Sequence, residues 1–568
     1  MTRRIPSPAQ HILVLGRDTT RTLLDRRKLL RAAGIGAVGG IGSRYVTLAG
    51  GAPRSASYLR GAQDEELEII IGTLGEANTI NPFLSSDSES DWRCKMLYDE
   101  FVRANPTDYS AEPGLASEWT VDGLTFTFTI NPDAKFSDGT QVTADDVAFT
   151  INGMIDPATG SPNSSKFAAI EGVGGDSASP AASATPAGGG VSGIKVIDPG
   201  TLQITLVKPD APFLFNLRNV WVVPKAKLEG QDLANSDFFQ APIGAGPYKF
   251  ESWTSGSDFV AVANEHYWQA GKPAIKKFTH RLIADSQSLV LALQGNEIDA
   301  SNYPNPAGKD LLAENPDLEV MAPPFSSGNG WFFNCREGVL ADKNVRRAIA
   351  MSLDTETFAN DALLGLGGPA LGPIAPDSWA FDPSLEPIPY DPATAKTMIE
   401  DAGAAGSQIE FFVNAGNIFR EDWLTFTQAA LQEVGIEVVP NVGDYATHVD
   451  AVQKSHDFQV SGVDFAGVTA EPSALWEQFH STSSGNFSGF STPELDELLE
   501  AARTELDQEA AKPIYADIQK IIMDEVPMHF AWYRPFLHAV NKTKFANYVD
   551  SGAFGLFSVL EDWTGAQP

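Results

Sequence analysis

Four short runs between residues 113 and 149 decide how this chain is read. They are Pro113-Gly114-Leu115-Ala116-Ser117-Glu118-Trp119, Asp122-Gly123-Leu124-Thr125-Phe126-Thr127-Phe128, Lys135-Phe136-Ser137-Asp138-Gly139 and Thr143-Ala144-Asp145-Asp146-Val147-Ala148-Phe149. In the second, Leu124, Phe126, Phe128 and Ile130 alternate with Thr125, Thr127 and Thr129. A period of two on aromatic and β-branched residues predicts a half-buried strand, with Asp122-Gly123 as the turn before it. Thr143 can cap a helix over residues 144–155 by accepting bonds from the free N–H groups of the first turn. A strand, a second Asp-Gly turn and a capped helix in succession predict a mixed α/β body.

The same grammar extends in both directions. Leu67-Glu68-Ile69-Ile70-Ile71-Gly72 is a compact apolar run ending in glycine, read as a buried strand. Leu202, Ile204 and Leu206 alternate after the turn Asp198-Pro199-Gly200. Asp342 caps a predicted helix over 343–353, and Thr492-Pro493 opens another. A helix over 421–434, stopped by Gly435, leads into the strand Ile436-Glu437-Val438-Val439. Strands alternating with helices imply sheets covered by helices. The 568 residues suffice for about three to five domain-sized units. Gly, Ala, Ser and Pro dominate from Gly172 to Gly193; such a stretch buries too little apolar surface to offset its ordering entropy and is expected to be a flexible insertion.

Charge divides the chain. Residues 1–62 hold eleven Lys/Arg against two Asp/Glu; the rest hold 29 against 71, so a head of +9 precedes a body of −42. A chain of net charge −33 repels phosphate backbones, which argues against nucleic-acid partners. Within the head, Asp25-Arg26-Arg27-Lys28-Leu29-Leu30 precedes a weakly apolar stretch from Ala32 to Gly42. Basic residues, a short apolar run and then small residues make an export-signal layout, and the paired arginines resemble the twin-arginine type. Residues 1–62 are therefore expected to be a leader cut somewhere between Ala49 and Ala62. The mature chain is then placed in the periplasm or on the outer face of the cytoplasmic membrane. Gly34-Ile35-Gly36-Ala37-Val38-Gly39 matches the dinucleotide fingerprint but follows a basic leader, not a strand, and reads as signal-sequence glycine. Cys94 and Cys335 are the two cysteines; they form no zinc spacing, and pairing stays open.

A search for chemistry finds no nucleophile elbow, no H-E-x-x-H and no phosphate-binding loop. The eight histidines are scattered. No catalytic residue, metal ligand or cofactor is assigned.

With those elements in place, the runs at 113–149 resemble the signature of the family 5 extracellular solute-binding proteins, the oligopeptide, dipeptide and nickel receptors of ABC importers. Further segments keep that family's order: Ile243-Gly244-Ala245-Gly246-Pro247-Tyr248, Asn264 with Tyr267 and Trp268, Gly295-Asn296-Glu297-Ile298-Asp299, Phe333-Asn334, and Val345-Arg346-Arg347-Ala348-Ile349. The resemblance spans about residues 67–541. It implies an α/β, two-lobed periplasmic-binding-protein-like (Venus-flytrap) fold, with crossing strands as hinge and an extra subdomain on the first lobe. The first lobe is expected from 63–110, 240–315 and 535–568, the extra subdomain from 111–239 and the second lobe from 316–534.

Function follows from the same resemblance: a monomeric, non-enzymatic receptor that takes a solute, by expectation a peptide, between its lobes and presents it to ABC permease subunits. By analogy the solute meets Glu76, Ala77 and Asn78 on the loop after the first strand, Asp464 and Phe465 on a second-lobe loop, and Trp532 and Tyr533 on a late strand. Asn334 of the F-N block, Trp379 and Trp476 as flat rings, and Arg420 as a carboxylate clamp complete the candidate set. One departure stands out. Peptide-binding members place an Asp four residues before the Pro of the second-lobe loop; here Val468 precedes Pro472, with Asp464 four residues earlier. That leaves oligosaccharides, opines or other solutes as alternatives, together with a ligand-sensor role and, from another class, a secreted hydrolase.

Overall fold

The apolar run near residue 70 is a buried strand, β1 (Glu68–Thr73), with Ile69 and Ile71 fully buried. The computed structural model describes residues 66–173, 190–322, 327–415, 417–465, 471–483, 485–534, 536–549 and 555–566. The expected leader lies outside these residues, as does 174–189 of the expected insertion. After β1 come a short hairpin, β2 (Val102–Ala104) and β3 (Ala111–Pro113). Next are β4 (Ala116–Asp122), β5 (Thr125–Ile130), β6 (Ile194–Asp198) and β7 (Thr201–Thr205). These last four make an antiparallel sheet of order β4-β5-β7-β6. The alternation read from the sequence is its cause: Phe128, Ile130, Leu202 and Ile204 are buried on one face.

Two larger sheets follow. The chain continues through β8 (Tyr248–Trp253), β9 (Asp258–Ala263), β10 (Lys277–Leu282), β11 (Ala300–Ser301) and β12 (Leu318–Met321). It then makes β13 (Ser327–Phe333), β14 (Gly368–Pro369), β15 (Gln408–Asn414), β16 (Glu437–Gly443), β17 (Val460–Phe465) and β18 (Met528–Arg534), and returns as β19 (His538–Asn541). The first sheet has the order β12-β19-β11-β1-β10-β9-β8, and the second β14-β18-β13-β17-β15-β16. The chain passes between these sheets twice, from β12 to β13 and from β18 back to β19. The expected boundary at 315 falls short of β12, which pairs with β19 and so belongs to the first sheet; the crossing lies after Met321.

Each sheet contains a parallel set. β1 lies parallel to β10 and β11, and β15 lies parallel to β16 and β17. In open sheets of this kind, ligands bind beyond the carboxyl ends of the parallel strands.

Local chemistry explains the helix ends. In the helix Ala144–Ile155 the Thr143 hydroxyl does not act only as expected: it donates to the Asp146 carboxylate at 2.7 Å, which also accepts the Thr143 N–H at 2.9 Å. Asp342 accepts from Asn344 N at 2.8 Å, and Thr492 from Leu495 N at 3.1 Å, as capping requires. The helix Lys343–Met351 carries Arg346, which is 2% exposed. Its guanidinium donates to the carbonyls of Leu340, Ala341, Glu525 and Val526. It thereby ties the end of the helix Gln508–Glu525 to its own helix. Gly244 and Gly246 matter through close approach: a Cβ would fall 2.1 Å from Leu97 O at the first and 2.3 Å from Met96 O at the second.

Burial is partitioned in the same way. One apolar core joins β1, β8, β9 and β10 to the four-stranded sheet, through Ile69, Tyr248, Phe259, Phe278, Phe128 and Leu202. Two others flank the second sheet, one around Trp331, Trp423 and Trp532, the other around Phe479, Ile518 and Tyr533. Cys94 and Cys335 are both free thiols, the first buried.

Candidate functional site

The carboxyl end of β1 turns at Thr73, whose hydroxyl lies 3.0 Å from Glu89 Oε1 and 2.9 Å from Gly75 O. Glu89 opens the helix Ser88–Tyr98, and Arg93, one turn later, donates to its Oε2 at 3.0 Å and to its carbonyl at 2.7 Å. This i, i+4 spacing is the favourable order for an acid and a base on a helix. His280 of β10 places Nδ1 3.7 Å from Glu89 Oε2. Burial raises the pKa of the Glu89 carboxyl, and the Arg93 charge works against that rise. Burial and the Arg93 charge hold the His280 imidazole well below its usual pKa, so it is neutral at pH 7. The group thus contains one internal ion pair and no surplus charge.

Beside this polar base lies a small, partly enclosed recess of about 70 Å³, lined by the polar Ser88, Glu89, His280 and Asn302 and by the rings of Trp92, Tyr303, Phe536 and Phe557. Trp92 is held by its indole N–H, which donates to Phe557 O at 2.8 Å. Asn302 fixes the C-terminal wall by accepting from Leu556 N at 3.0 Å. Burial pushes the Tyr303 phenol up to about 12, with Glu89 adding to the effect.

Tyr303 and Phe536 meet edge to face at 4.9 Å. Phe536 lies on the return crossing, and the Arg534 guanidinium stands 5.3 Å from its ring. The same guanidinium is 5.2 Å from the ring of Phe419, in the first turn of the helix Ile418–Glu433. Phe419 follows β15, at the carboxyl end of the second sheet's parallel set. Tyr303, Phe536, Arg534 and Phe419 therefore form a continuous contact from the strand ends of one sheet to those of the other, along the crossing. Cation–π contacts of this kind stabilise by about 0.5–2 kcal/mol each.

The residues expected from the sequence fall in several places. Glu76 anchors the turn between β8 and β9, accepting from Trp253 Nε1 at 2.8 Å and Gly256 N at 3.1 Å. Ala77 is buried, and Asn78 is exposed, donating to Asp87 at 3.0 Å. These three lie on the loop after β1, and none of them lines the recess. Arg420 donates to Asn414 Oδ1 at 2.5 Å, at the end of β15. Asp464 and Phe465 close β17, opposite Asn329 and Gly328; Val468 lies outside the described residues. These positions share the carboxyl ends of the two parallel sets.

Of the others, Trp532, Tyr533 and Asn334 are buried, and Trp379 and Trp476 are half-buried. Trp532, 1% exposed, packs against Trp423 at 4.9 Å and Phe358 at 5.1 Å. Tyr533 is buried, its hydroxyl donating toward the carbonyls of Gly372 and Ile374. Neighbours on a strand face opposite ways, and both faces of β18 are covered by core. Asn334 donates to His456 O and Phe458 O, a loop-holding task. Trp379 packs edge to face on Tyr515 at 5.5 Å. Trp476 stacks on His480 at 4.5 Å and donates to Glu500 at 2.8 Å. In this arrangement these five rings and amides support the second sheet and its helices.

Sequence reasoning missed Glu89, Arg93, His280, Tyr303, Arg534, Phe419 and Phe536. Only the Glu89–Arg93 spacing carried a readable signal. The remainder come together from segments hundreds of residues apart.

Comparison with known proteins adds a family and a fold. Residues 110–487 match the bacterial extracellular solute-binding proteins, family 5 (middle region). The chain is 29% identical over 481 residues to the periplasmic murein peptide-binding protein MppA of Escherichia coli, covering 82% of this chain and 87% of that protein. It is 26% identical over 537 residues to the oligopeptide-binding protein AppA of Bacillus subtilis, covering 90% and 94%. The structure of Bacillus subtilis AppA in complex with a nonapeptide superposes with a TM-score of 0.77 at 23% identity, over 88% of this chain and 99% of that one.

Proposed function

The chain belongs to the bacterial extracellular solute-binding proteins of family 5, and from that premise we propose that it takes a peptide between its lobes and hands it, chemically unchanged, to an ABC importer. The observation that carries this reading is the convergence of both parallel sets on one crossing, through Tyr303, Phe536, Arg534 and Phe419. A solute lodged there touches both lobes and the strand that links them. Its differential affinity for the closed arrangement is what draws the lobes together. A solute at a hundred times its Kd stabilises the bound form by about 2.7 kcal/mol. The closed surface is then what the permease subunits read.

In this reading the first lobe comprises 63–110, 240–321 and 535–568, the extra subdomain 111–239, and the second lobe 322–534. The recess takes a side chain or backbone segment with an apolar body and an uncharged polar end, because its walls are rings and its base is internally neutralised. The loop bearing Glu76, Ala77 and Asn78 lines the first-lobe side, and Arg420, Asp464 and Phe465 line the other. Asp464, eight residues before Pro472, is the acid proposed to take the part of the family's amine-binding Asp. No bond is broken, so no catalytic group is required. The leader, of twin-arginine type, exports the chain, which works as a monomer outside the cytoplasmic membrane.

Native mass spectrometry and calorimetry test the reading. The mature chain is expected to retain a small peptide, released on denaturation at its original mass, and to bind that peptide again at one site. Turnover of the retained molecule, or binding of sugars and no peptide, contradicts it.

A further inference from the structure

Away from the recess, the described residues include a polar contact between the extra subdomain and the second lobe. The loop after β7 reaches the carboxyl end of the helix Pro493–Thr504. There Arg503 Nε stands 2.7 Å from Asp210 Oδ1, with side-chain exposures of 11% and 0%. The backbone joins in: Ala211 N donates to Arg503 O at 2.8 Å. Beside this pair, Lys208 Nζ meets Glu500 Oε2 at 2.6 Å in a more exposed bridge. Trp476 holds the second-lobe half in place. Its indole donates to Glu500 Oε1 at 2.8 Å, and its ring lies 4.7 Å beneath the Arg503 guanidinium.

Three features set this contact apart from packing. The extra subdomain shares its apolar core with the first sheet, whereas the second sheet is flanked by cores of its own. The two bodies are linked covalently only by the crossings near 322–327 and 534–538. None of the contact's residues lines the recess. Rotation about the crossings would therefore break or remake this contact as a unit, without disturbing either core. Its ionic character suits that use. Charges that leave a partner regain hydration on exposure, so such a contact aligns two bodies without the near-irreversible cost of exposing apolar surface. The Asp210 side chain is fully buried at this contact, and its Oδ2 has no hydrogen-bond partner among the described residues.

We propose that Arg503 is a positioning residue for solute capture: with Asp210 it forms a clasp between the extra subdomain and the second lobe that favours the closed arrangement without touching solute. This rests on the solute-receptor reading for its purpose, but its existence is measurable without any solute.

The experiment uses two spin labels on the mature chain, one at Val196→Cys in the extra subdomain and one at Leu506→Cys after the helix, both at exposed positions. Cys335→Ser is included, and the buried Cys94 is left in place. Pulsed dipolar distances are recorded without ligand for this background, for Arg503→Gln, for Asp210→Asn and for the double variant. Each single variant is expected to raise the ratio of long-distance to short-distance molecules about tenfold, the size of a lost charge-assisted pair. The double variant is expected to match the singles and not to add to them. Unchanged melting temperatures of the separate cores, read by near-ultraviolet circular dichroism, exclude misfolding as the cause. Identical distance distributions in all four proteins, or strictly additive shifts, overturn the clasp. A protein that binds no peptide yet shows the tenfold shift overturns the receptor reading and leaves the clasp standing.

Discussion

The two lobes hold their tryptophans in different surroundings. In the second, Trp331, Trp423 and Trp532 are each at most 1% exposed and interlock, Trp331 against Trp423 at 6.3 Å and Trp423 against Trp532 at 4.9 Å. In the first, Trp92, Tyr303 and Phe557, joined by Phe536 of the crossing, stand around the recess. Both lobes bury most of these rings, Phe557 at 1% exposure as deeply as Trp532, and the first lobe differs in carrying the half-buried Tyr303 and Phe536 at the edge of its cluster. Trp331 and Trp532 lie along buried strands with Trp423 packed on them from a helix, whereas Tyr303 just follows the carboxyl end of the parallel strand β11.

The contrast breaks most visibly with Trp532→Ala. It empties a buried site among rings and is expected to cost about 3–5 kcal/mol of stability, measured by chemical denaturation, whereas any solute affinity of the folded fraction stays near its original value. A loss below about 1 kcal/mol would mean the second-lobe rings are not core. A pH experiment comes next in size. Burial depresses His448 to about 4, and its Nε2 sits 2.9 Å from the Ser461 hydroxyl. A depressed folded pKa means that the unfolded chain binds the proton more readily. The stability contributed by the neutral ring is complete above about pH 6.5 and disappears as pH falls through about 4. Unfolding free energy is expected to drop by about 1–3 kcal/mol across that window beyond the loss shown by His448→Gln; equal slopes for the two proteins would rule this out.

Smaller changes sharpen the first-lobe side. Tyr303→Ala removes a wall and one ring of the cross-lobe contact. Peptide affinity is expected to fall about tenfold, with the melting temperature within a few degrees of the parent, as titration calorimetry and a thermal scan would show. The reverse pattern, lost stability with intact affinity, would turn Tyr303 into another Trp532. Thr492→Ala tests the least: loss of one helix cap should cost about 1 kcal/mol and leave binding unchanged, since the Thr492 hydroxyl accepts from Leu495 N of its own helix.

These contrasts also explain what could be read in the sequence. β5, β7 and the caps at Asp342 and Thr492 are local: alternation and a side-chain acceptor next to free N–H groups are visible within a few residues. The helix expected over 421–434 begins earlier, at Ile418, because Asn417 accepts from Arg420 N at 3.2 Å and starts it three residues sooner. Arg346 was legible as a motif but not as a task, since two of its four carbonyl partners, Glu525 and Val526, lie about 180 residues away. The site was the least legible. Tyr303, Arg534 and Phe419 become neighbours only after the chain has crossed twice between sheets, and nothing local to any of them signals the others. Trp532 and Tyr533 show the converse: a ring pair on a late strand reads as a binding surface, and in the structure both faces of that strand are covered by core.

The most direct measurement of the central claim is hydrogen–deuterium exchange on the mature chain with and without the peptide it retains. The account predicts coordinated protection in peptides spanning 73–82, 300–304, 417–420 and 534–538, one patch on each lobe and the crossing between them. Protection confined to a single lobe, or absent from 534–538, would contradict it.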